Sequence, residues 1–519
     1  MNRVHKFNKI FIFLLILFIS IGFAIISTSL SISGISSISK NSWDVHFENA
    51  RIKHSVEGYP LLDISDDRLS VTYSVDLKYP GDYFEFTVDT VNNGTIDAIV
   101  DTVNNTELTP LQAQVLLVEF DANENDILLS GDKKTYTVKL SYKDDIDVDD
   151  LLDTDFSVNL TFSITYKQAD RSTFKTAKFK SGADVRDKMI SLVSSEYSTF
   201  TQTSYGNLIP VNKFLRSSEL KSGLTASNII STSDSEVPIY IWFDKTSDNG
   251  NDVIYWYSEA NIVYLNQDSS FFFYKATEGS NPASYFGNLT DVSGIYNVNT
   301  SNVVDMSALF CFCSNLQSIN LFNWNTSKVT NMDYLFAYCK SLSNIDISNF
   351  DMSNATNIGH MFNGCTSLTD IDLSSFNTNK LLYMDHLFDG CTNLKNVDFG
   401  RFNTSTVQGM SYLFNSCSSL ESVDIMGFDT RNVIYMDSMF QNCTNLSEIL
   451  VRKGFILNPA VSSTNMFSGC ISLRGSNGTT YNSSIVDATY ARPDGWSYNQ
   501  STSSWNNDGS LGYFTLKTK

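Results

Sequence analysis

"MDYLFAYCKSLSNIDISNF" (residues 332–350) and "MDHLFDGCTNLKNVDFGRF" (384–402) are loose copies of one another, with "IGHMFNGCTSLTDIDLSSF" (358–376) between them. Each copy holds one cysteine, and the cysteines mark the period. Cys313, Cys339, Cys365, Cys391, Cys417, Cys443 and Cys470 are spaced by 26 residues five times and then by 27. Three residues before each stands a phenylalanine, from Phe310 to Phe467, and three after stands a leucine, from Leu316 to Leu473. A fixed period of this size means stacked units, each too small to bury its apolar face alone.

One unit can be parsed by its apolar spacing. Val329, Met332, Leu335, Phe336 and Cys339 fall at i, i+3, i+6, i+7 and i+10, which predicts one stripe of a helix. After Leu342, "NIDIS" alternates, with Ile345 and Ile347 to one side and Asp346 to the other, which predicts a short strand. Strand plus helix in 26 residues is the leucine-rich repeat plan. Strands stack about 4.8 Å apart, whereas helix axes need about 8–10 Å. The expectation is therefore a curved α/β solenoid over residues 289–475 with its strands on the concave face.

The unit also resembles that of the BspA-type leucine-rich repeat surface proteins. The residues that carry the likeness are "NIDISNFDMSNATNIGHMFNGCTSL", and the flanking "PIYIWFD", "VIYWYSEANIVYLN", "DATYAR" and "GYFT" are similar to that family's flanks. The resemblance implies a bacterial cell-surface protein, typically an adhesin. No Leu-Pro-x-Thr-Gly sorting signal stands near "GYFTLKTK", so covalent wall attachment is not expected.

The rest of the 519-residue chain divides by composition. Arg3, Lys6 and Lys9 precede the uncharged run Ile10–Ile26, so residues 1–40 read as an export signal or a retained membrane anchor. Residues 41–167 alternate with period two between turn signals such as "YPGD" (79–82) and "NNG" (92–94), which predicts a β-sandwich. "FAIISTSLSISGISSI", "WDVHFEN" and "PGDYFEFTVDTVNNGTIDAIV" resemble exported proteins of the TasA/camelysin type, which implies the same sandwich and a subunit able to assemble into fibres. Residues 168–288 predict a helix over 182–197 and an aromatic hairpin about "DNGN" (248–251), acting as the N-terminal cap of the array. Residues 476–519 form a C-terminal cap or tail.

The net charge of −20 makes nucleic acid an improbable partner, because phosphate would be repelled. No GxSxG, HExxH or P-loop is present, and no cysteine–histidine set has a third partner, so no enzyme is expected. The acidic stretch 144–155 lacks the glycine and terminal glutamate of an EF-hand and reads as a solvated loop. All eight cysteines lie in the array. Seven share one column, where helix spacing would hold neighbours too far apart to bridge, so they read as small core hydrophobes. Cys311 stands where other units carry polar residues and is expected to be an exposed thiol. His360 and His386 occupy equivalent positions with Tyr334 and Tyr412, predicting an exposed aromatic stripe rather than a metal site.

The column expected to bind ligand is Asn320, Asp346, Asp372, Asp398 and Asp424, flanked by Asn344, Asp370, Asn396 and Glu448. On a concave sheet these carboxylates would stack as like charges, which is destabilising unless they stay well hydrated as a solvated polar face, shift their pKa, or share a cation such as calcium. No other cofactor is expected. The partners implied are host matrix or bacterial surface macromolecules, with self-association as the alternative and membrane contact only through the N-terminal apolar run.

Overall fold

Alternation of apolar and polar residues organises the first part of the chain. Strands Ser70–Leu77 and Lys133–Tyr142 bury nearly every second side chain, as a pleated strand must when one face meets a core. The structure, a computed structural model, describes residues 43–516 apart from 56–59, 78, 111, 125, 144–155, 171–173, 198–200, 204–205, 276–285, 401, 453–454 and 500–503. The run Ile10–Ile26 and the acidic stretch 144–155 thus lie outside the described residues. No helix among the described residues is long and apolar enough to cross a membrane.

The chain divides into two compact units, one ending at Thr173 and one beginning at Phe174. In the first, Val45–His54, Tyr83–Asn92, Lys133–Tyr142 and Leu116–Phe120 form a four-stranded antiparallel sheet in that order. A second antiparallel sheet runs Leu61–Ile64, Ser70–Leu77, Phe156–Gln168, Ala98–Asn105, Ile127–Leu128. Both sheets feed one core that includes Tyr73, Phe84, Phe86, Tyr136 and Phe162.

In the second unit the short strand Thr176–Lys178 leads into a helix, Gly182–Glu196, capped by the Ser181 hydroxyl and burying Val185, Met189 and Val193. The hairpin Tyr240–Asp248/Asn251–Tyr257 turns through Asn249 and Gly250, both at positive φ, a turn that follows the twist of its strands. Its Trp256 donates from Nε1 to the Gly294 carbonyl at 2.9 Å and shares one core with the array.

The repeats do not form helices. Across residues 289–475 the described residues contain no α-helix, and the single helical turn there is Ser293–Ile295. The segment 332–339 shows why. Met332, Tyr334, Phe336 and Tyr338 donate their N–H groups to the next unit, at Asn357, Gly359, Met361 and Asn363. The residues between, Leu335, Ala337 and Cys339, close local turns to the carbonyls three positions back. Alternate amides thus point along the stack, whereas an α-helix directs every N–H along its own axis. The reorientation needs left-handed backbone, found at Tyr334 and Tyr338 (φ 59° and 61°) and at the matching His360/Gly364, His386/Gly390 and Tyr412/Ser416. A run of turns spaced by four leaves an apolar stripe that a helix would also leave.

The expected curved α/β solenoid of leucine-rich repeats is therefore overturned. The described residues are mostly β, in eight separate sheets, and among them none closes or runs continuously through the repeats. The strand expected at "NIDIS" does not form in that unit. Strands appear at the equivalent places only later, as the parallel pair Asp370–Asp372/Asn396–Asp398 and the parallel trio Ser422–Asp424, Glu448–Val451, Phe514–Leu516. With no helix layer, the spacing mismatch that was to curve the array is absent. A line of single parallel bridges joins the units instead, through Asp305, Asn331, Asn357, Tyr383, Gly409, Tyr435 and Ser462.

Three buried columns hold the stack. Phe273, Phe310, Phe336, Phe362, Phe388, Phe414, Phe440 and Phe467 stack with centroids 5.5–5.9 Å apart, an offset arrangement favoured over face-to-face overlap. Edge-on rings close both ends: Phe214, Phe272 and Phe286 on Phe273, and Tyr513 and Phe514 on Phe467. The second column is threonine. Buried Thr404 Oγ1 accepts from the Asp429 N–H at 2.7 Å and donates to the Asp429 carbonyl at 3.1 Å. The same reciprocal pair links Thr300 to Asn325, Thr326 to Asp351 and Thr378 to Asn403. The third column is cysteine, described below.

The threonine column gives a direct test. Thr404→Val keeps the side-chain shape but strips both bonds from the Asp429 peptide groups. It should lower unfolding free energy by about 1–3 kcal/mol, measured by denaturant titration, and an unchanged midpoint would remove the column from the stabilising set.

Candidate functional site

The aspartate column closes turns. Asp372 Oδ1 accepts from the Ser374 N–H at 2.8 Å, Asp398 Oδ1 from Gly400 at 2.8 Å, and Asp424 Oδ1 from Met426 at 2.9 Å. Asp346 accepts from both the N–H and the hydroxyl of Ser348, and Asn320 plays the same part toward the Phe322 N–H. A side-chain oxygen bonded two residues onward is how Asx residues fix a turn, and asparagine serves as well as aspartate because only the acceptor is needed. Asn344, Asp370 and Asn396 are exposed, and Glu448 is half-buried. Asp370 accepts from Asn396 Nδ2 at 2.5 Å, and that bond, with one to Thr369, holds its carboxyl below the usual range. In the sheet Asp372 stands directly opposite Asp398, both exposed, so water screens the like charges. Among the described residues no group of three or more His, Cys, Asp or Glu is arranged to hold a metal ion.

The cysteines are all free and buried. Six form a ladder of their own: Cys339, Cys365, Cys391, Cys417, Cys443 and Cys470 donate from Sγ to the carbonyls of Phe310, Phe336, Phe362, Phe388, Phe414 and Phe440 at 2.8–3.2 Å. The spacing expected from helix packing does not apply, because hydrogen-bonded units lie about 4.8 Å apart. Each thiol is instead occupied as a donor to the unit before it. Burial pushes the thiols up, to about 12 for Cys365 and Cys470, so thiolate chemistry is suppressed. Cys311, expected to be exposed, is 1% exposed and packs with Ala308, Phe312 and Ala337. The mistake lies in reading its position as the outer side of a helix; here its amide closes a turn to Ala308 and its side chain points inward.

Tyr334, His360, His386 and Tyr412 do form a continuous half-buried stack, with centroids 4.0, 4.5 and 4.5 Å apart and planes within 11°. His360 Nδ1 meets Asp333 Oδ1 at 3.1 Å, and His386 Nδ1 meets Asp389 Oδ2 at 2.9 Å. Asp385 lies beside them. Burial pushes its carboxyl up, opposed by the Ser411 N–H and by the neighbouring His386 and His360. This face joins ring edges, imidazole nitrogens and carboxylates.

Sequence reasoning passed over two features of this face. Asp333, Asp385 and Asp437 alternate with Gly359 and Ser411 at one repeat position, and the exposed Tyr383 and Tyr435 flank Gly409 at another. The first is a pattern with a period of two units, hidden when the copies are aligned one by one; the second is confined to three successive units, with Asn331 and Asn357 at the same position before them.

Residues 281–381 and 368–481 match the model of a family described as "Mycoplasma protein of unknown function, DUF285". The match covers the repeats and leaves more than half of the chain outside it, and its description is not that of a leucine-rich repeat family. None of the curated proteins and none of the solved structures compared matches the chain.

The turn-closing role of the aspartates separates two variants. Asp372→Asn should keep the stability of the parent, as Asn320 does naturally, whereas Asp372→Ala should lose about 1 kcal/mol. The melting temperature should be the same in calcium and in chelator; a rise with calcium that Asp372→Asn abolishes would establish a cation on the column.

Proposed function

We propose that this chain is an exported bacterial surface protein that binds another macromolecule, protein or glycan, through its repeat array. The observation that carries the reading is the array itself. Seven units close their apolar side chains and thiols inward, five of them with a buried threonine, and present varied polar and aromatic side chains to solvent. Such a surface makes many weak contacts at once, which gives avidity without any single strong pocket. The spacing of Leu, Ile-Asp, Phe and Cys that resembles the BspA-type surface proteins supports the same reading, as does the basic, then apolar, start of the sequence. Host matrix or bacterial surface polymers are the partners it would meet, by contact and with no bond made or broken.

A second reading rests on the first unit. The edge strands Val45–His54, Leu61–Ile64 and Leu116–Phe120 expose Ile52, Leu61, Leu117 and Phe120. Strand edges bearing apolar side chains favour pairing with another copy, so the alternative reading is a subunit of surface fibres.

Two experiments divide these. Binding of the full chain to whole cells and matrix proteins should be lost when residues 289–475 are deleted; retention after deletion would sink the array reading. The fibre reading expects species larger than a monomer in size-exclusion chromatography, reduced by Leu117→Lys on the edge strand, and a purely monomeric elution would end it.

A further inference from the structure

The bridge line through the array passes Tyr383, Gly409 and Tyr435 in successive units. The two tyrosines are 43% and 52% exposed, and among the described residues neither ring packs on another ring. The Phe310–Phe467 and Tyr334–Tyr412 columns, by contrast, are stacked from unit to unit. Between them Gly409 leaves a notch. A Cβ there would lie 2.1 Å from Asp385 Oδ2, so any other residue would displace the carboxylate that occupies the place. Asp385 is fixed by the Ser411 N–H, which donates to Oδ1 at 2.7 Å. Its Oδ2 has no protein donor among the described residues. Two flat rings thus stand two rungs apart, about 9.6 Å at the spacing of paired strands, with an acceptor set low between them.

We propose that Tyr383, Asp385, Gly409 and Tyr435 form a binding site for an extended β-1,4-linked glycan. In such a chain each sugar is turned over relative to the last and advances the axis by about one rung. Every second sugar therefore offers the same face, two rungs apart, which is the spacing of the two tyrosines. The axial C–H face of one pyranose lies on Tyr383 and that of the next but one on Tyr435, where the negative ring face attracts the C–H edge. The sugar between them passes over Gly409 and donates a hydroxyl proton to Asp385 Oδ2, a charge-assisted bond. An extended peptide fits less well, since its same-side residues recur every 6.6–6.8 Å or so. A lipid surface would need apolar continuity that this carboxylate interrupts. The site rests on the surface-binding reading and adds to it a ligand class and a face, one distinct from the Asp372 column.

The test is calorimetric titration of the full chain with hexamers of β-1,4-linked glucose and of β-1,4-linked N-acetylglucosamine, with the α-1,4-linked glucose hexamer for comparison. At least one β-linked hexamer should bind and the α-linked one should not. Tyr383→Ala and Tyr435→Ala should each weaken binding roughly tenfold, the loss of one aromatic contact, while Tyr79→Ala in the first unit leaves it unchanged. Circular dichroism establishes that the variants keep their fold, and a Tyr→Phe pair, which retains the rings, should bind nearly as the parent does. No binding of either β-linked hexamer at millimolar concentration, or binding indifferent to both alanine variants, overturns the site. Cell-surface binding that depends on residues 289–475 while both hexamers fail would overturn this site and leave the surface-binding reading standing.

Discussion

Every repeated feature of this chain depends on turning alternate amide groups out of the unit and along the stack. A 26-residue segment cannot bury its own apolar face, so its stability must come from its neighbours, and a hydrogen bond is the most directional way to fix a neighbour's register. The left-handed residues at Tyr334 and Tyr338, and at their equivalents, carry an energetic penalty for any residue other than glycine. That penalty is offset by four inter-unit bonds over eight residues. Once the backbone register is set, the phenylalanines can only stack on phenylalanines, the threonine hydroxyls can only reach the next peptide, and the thiols can only meet the carbonyl one unit back. The side-chain columns follow from the backbone and reinforce it.

The thiol column shows how chemistry gives way to packing under this constraint. Cysteine is small enough to sit beneath a stacked ring, apolar enough to be buried, and still able to donate weakly to a carbonyl. Serine would bury a stronger polar group, and alanine would leave the Phe carbonyl with one fewer donor and a small void. An oxidising environment does not by itself convert such a column to disulfides, because thiolates are the reacting species and burial disfavours them.

Period, unit boundaries and column membership were legible in the sequence, because identical residues recur at fixed spacing and burial alone explains Phe336, Cys339 and Leu342. Backbone conformation was not, since Val329, Met332, Leu335 and Phe336 have the same spacing on a helix and on a run of four-residue turns. The distinguishing signal lay in the residues outside the stripe. Gly364, Gly390, Asn442 and Gly469 each precede the cysteine and each take positive φ, and glycine or asparagine recurring inside a supposed helix argues against one. The aspartates were found by their column, but the turns they close were not, because the bonds from the Ser374 and Gly400 amides depend on a backbone conformation that the residue spacing does not specify. The tyrosine pair was illegible for a different reason: its position carries Asp305, Asn331, Asn357, Gly409 and Ser462 in the other units, and comparison of single copies averages it away.

The aromatic rings set edge-on at both ends of the phenylalanine column also bear on how such a chain can change over generations. Inner units meet the same surface above and below, so an in-frame duplication or loss of one unit would be received by the same closing rings, and the interior counts in ones. The exterior counts in twos. Ser307, Asp333, Gly359, Asp385, Ser411 and Asp437 alternate acidic with small residues. A change by a single unit would shift the two halves of that surface out of step with each other, and only change by pairs would preserve it. Length and surface pattern are thus inherited under different arithmetic.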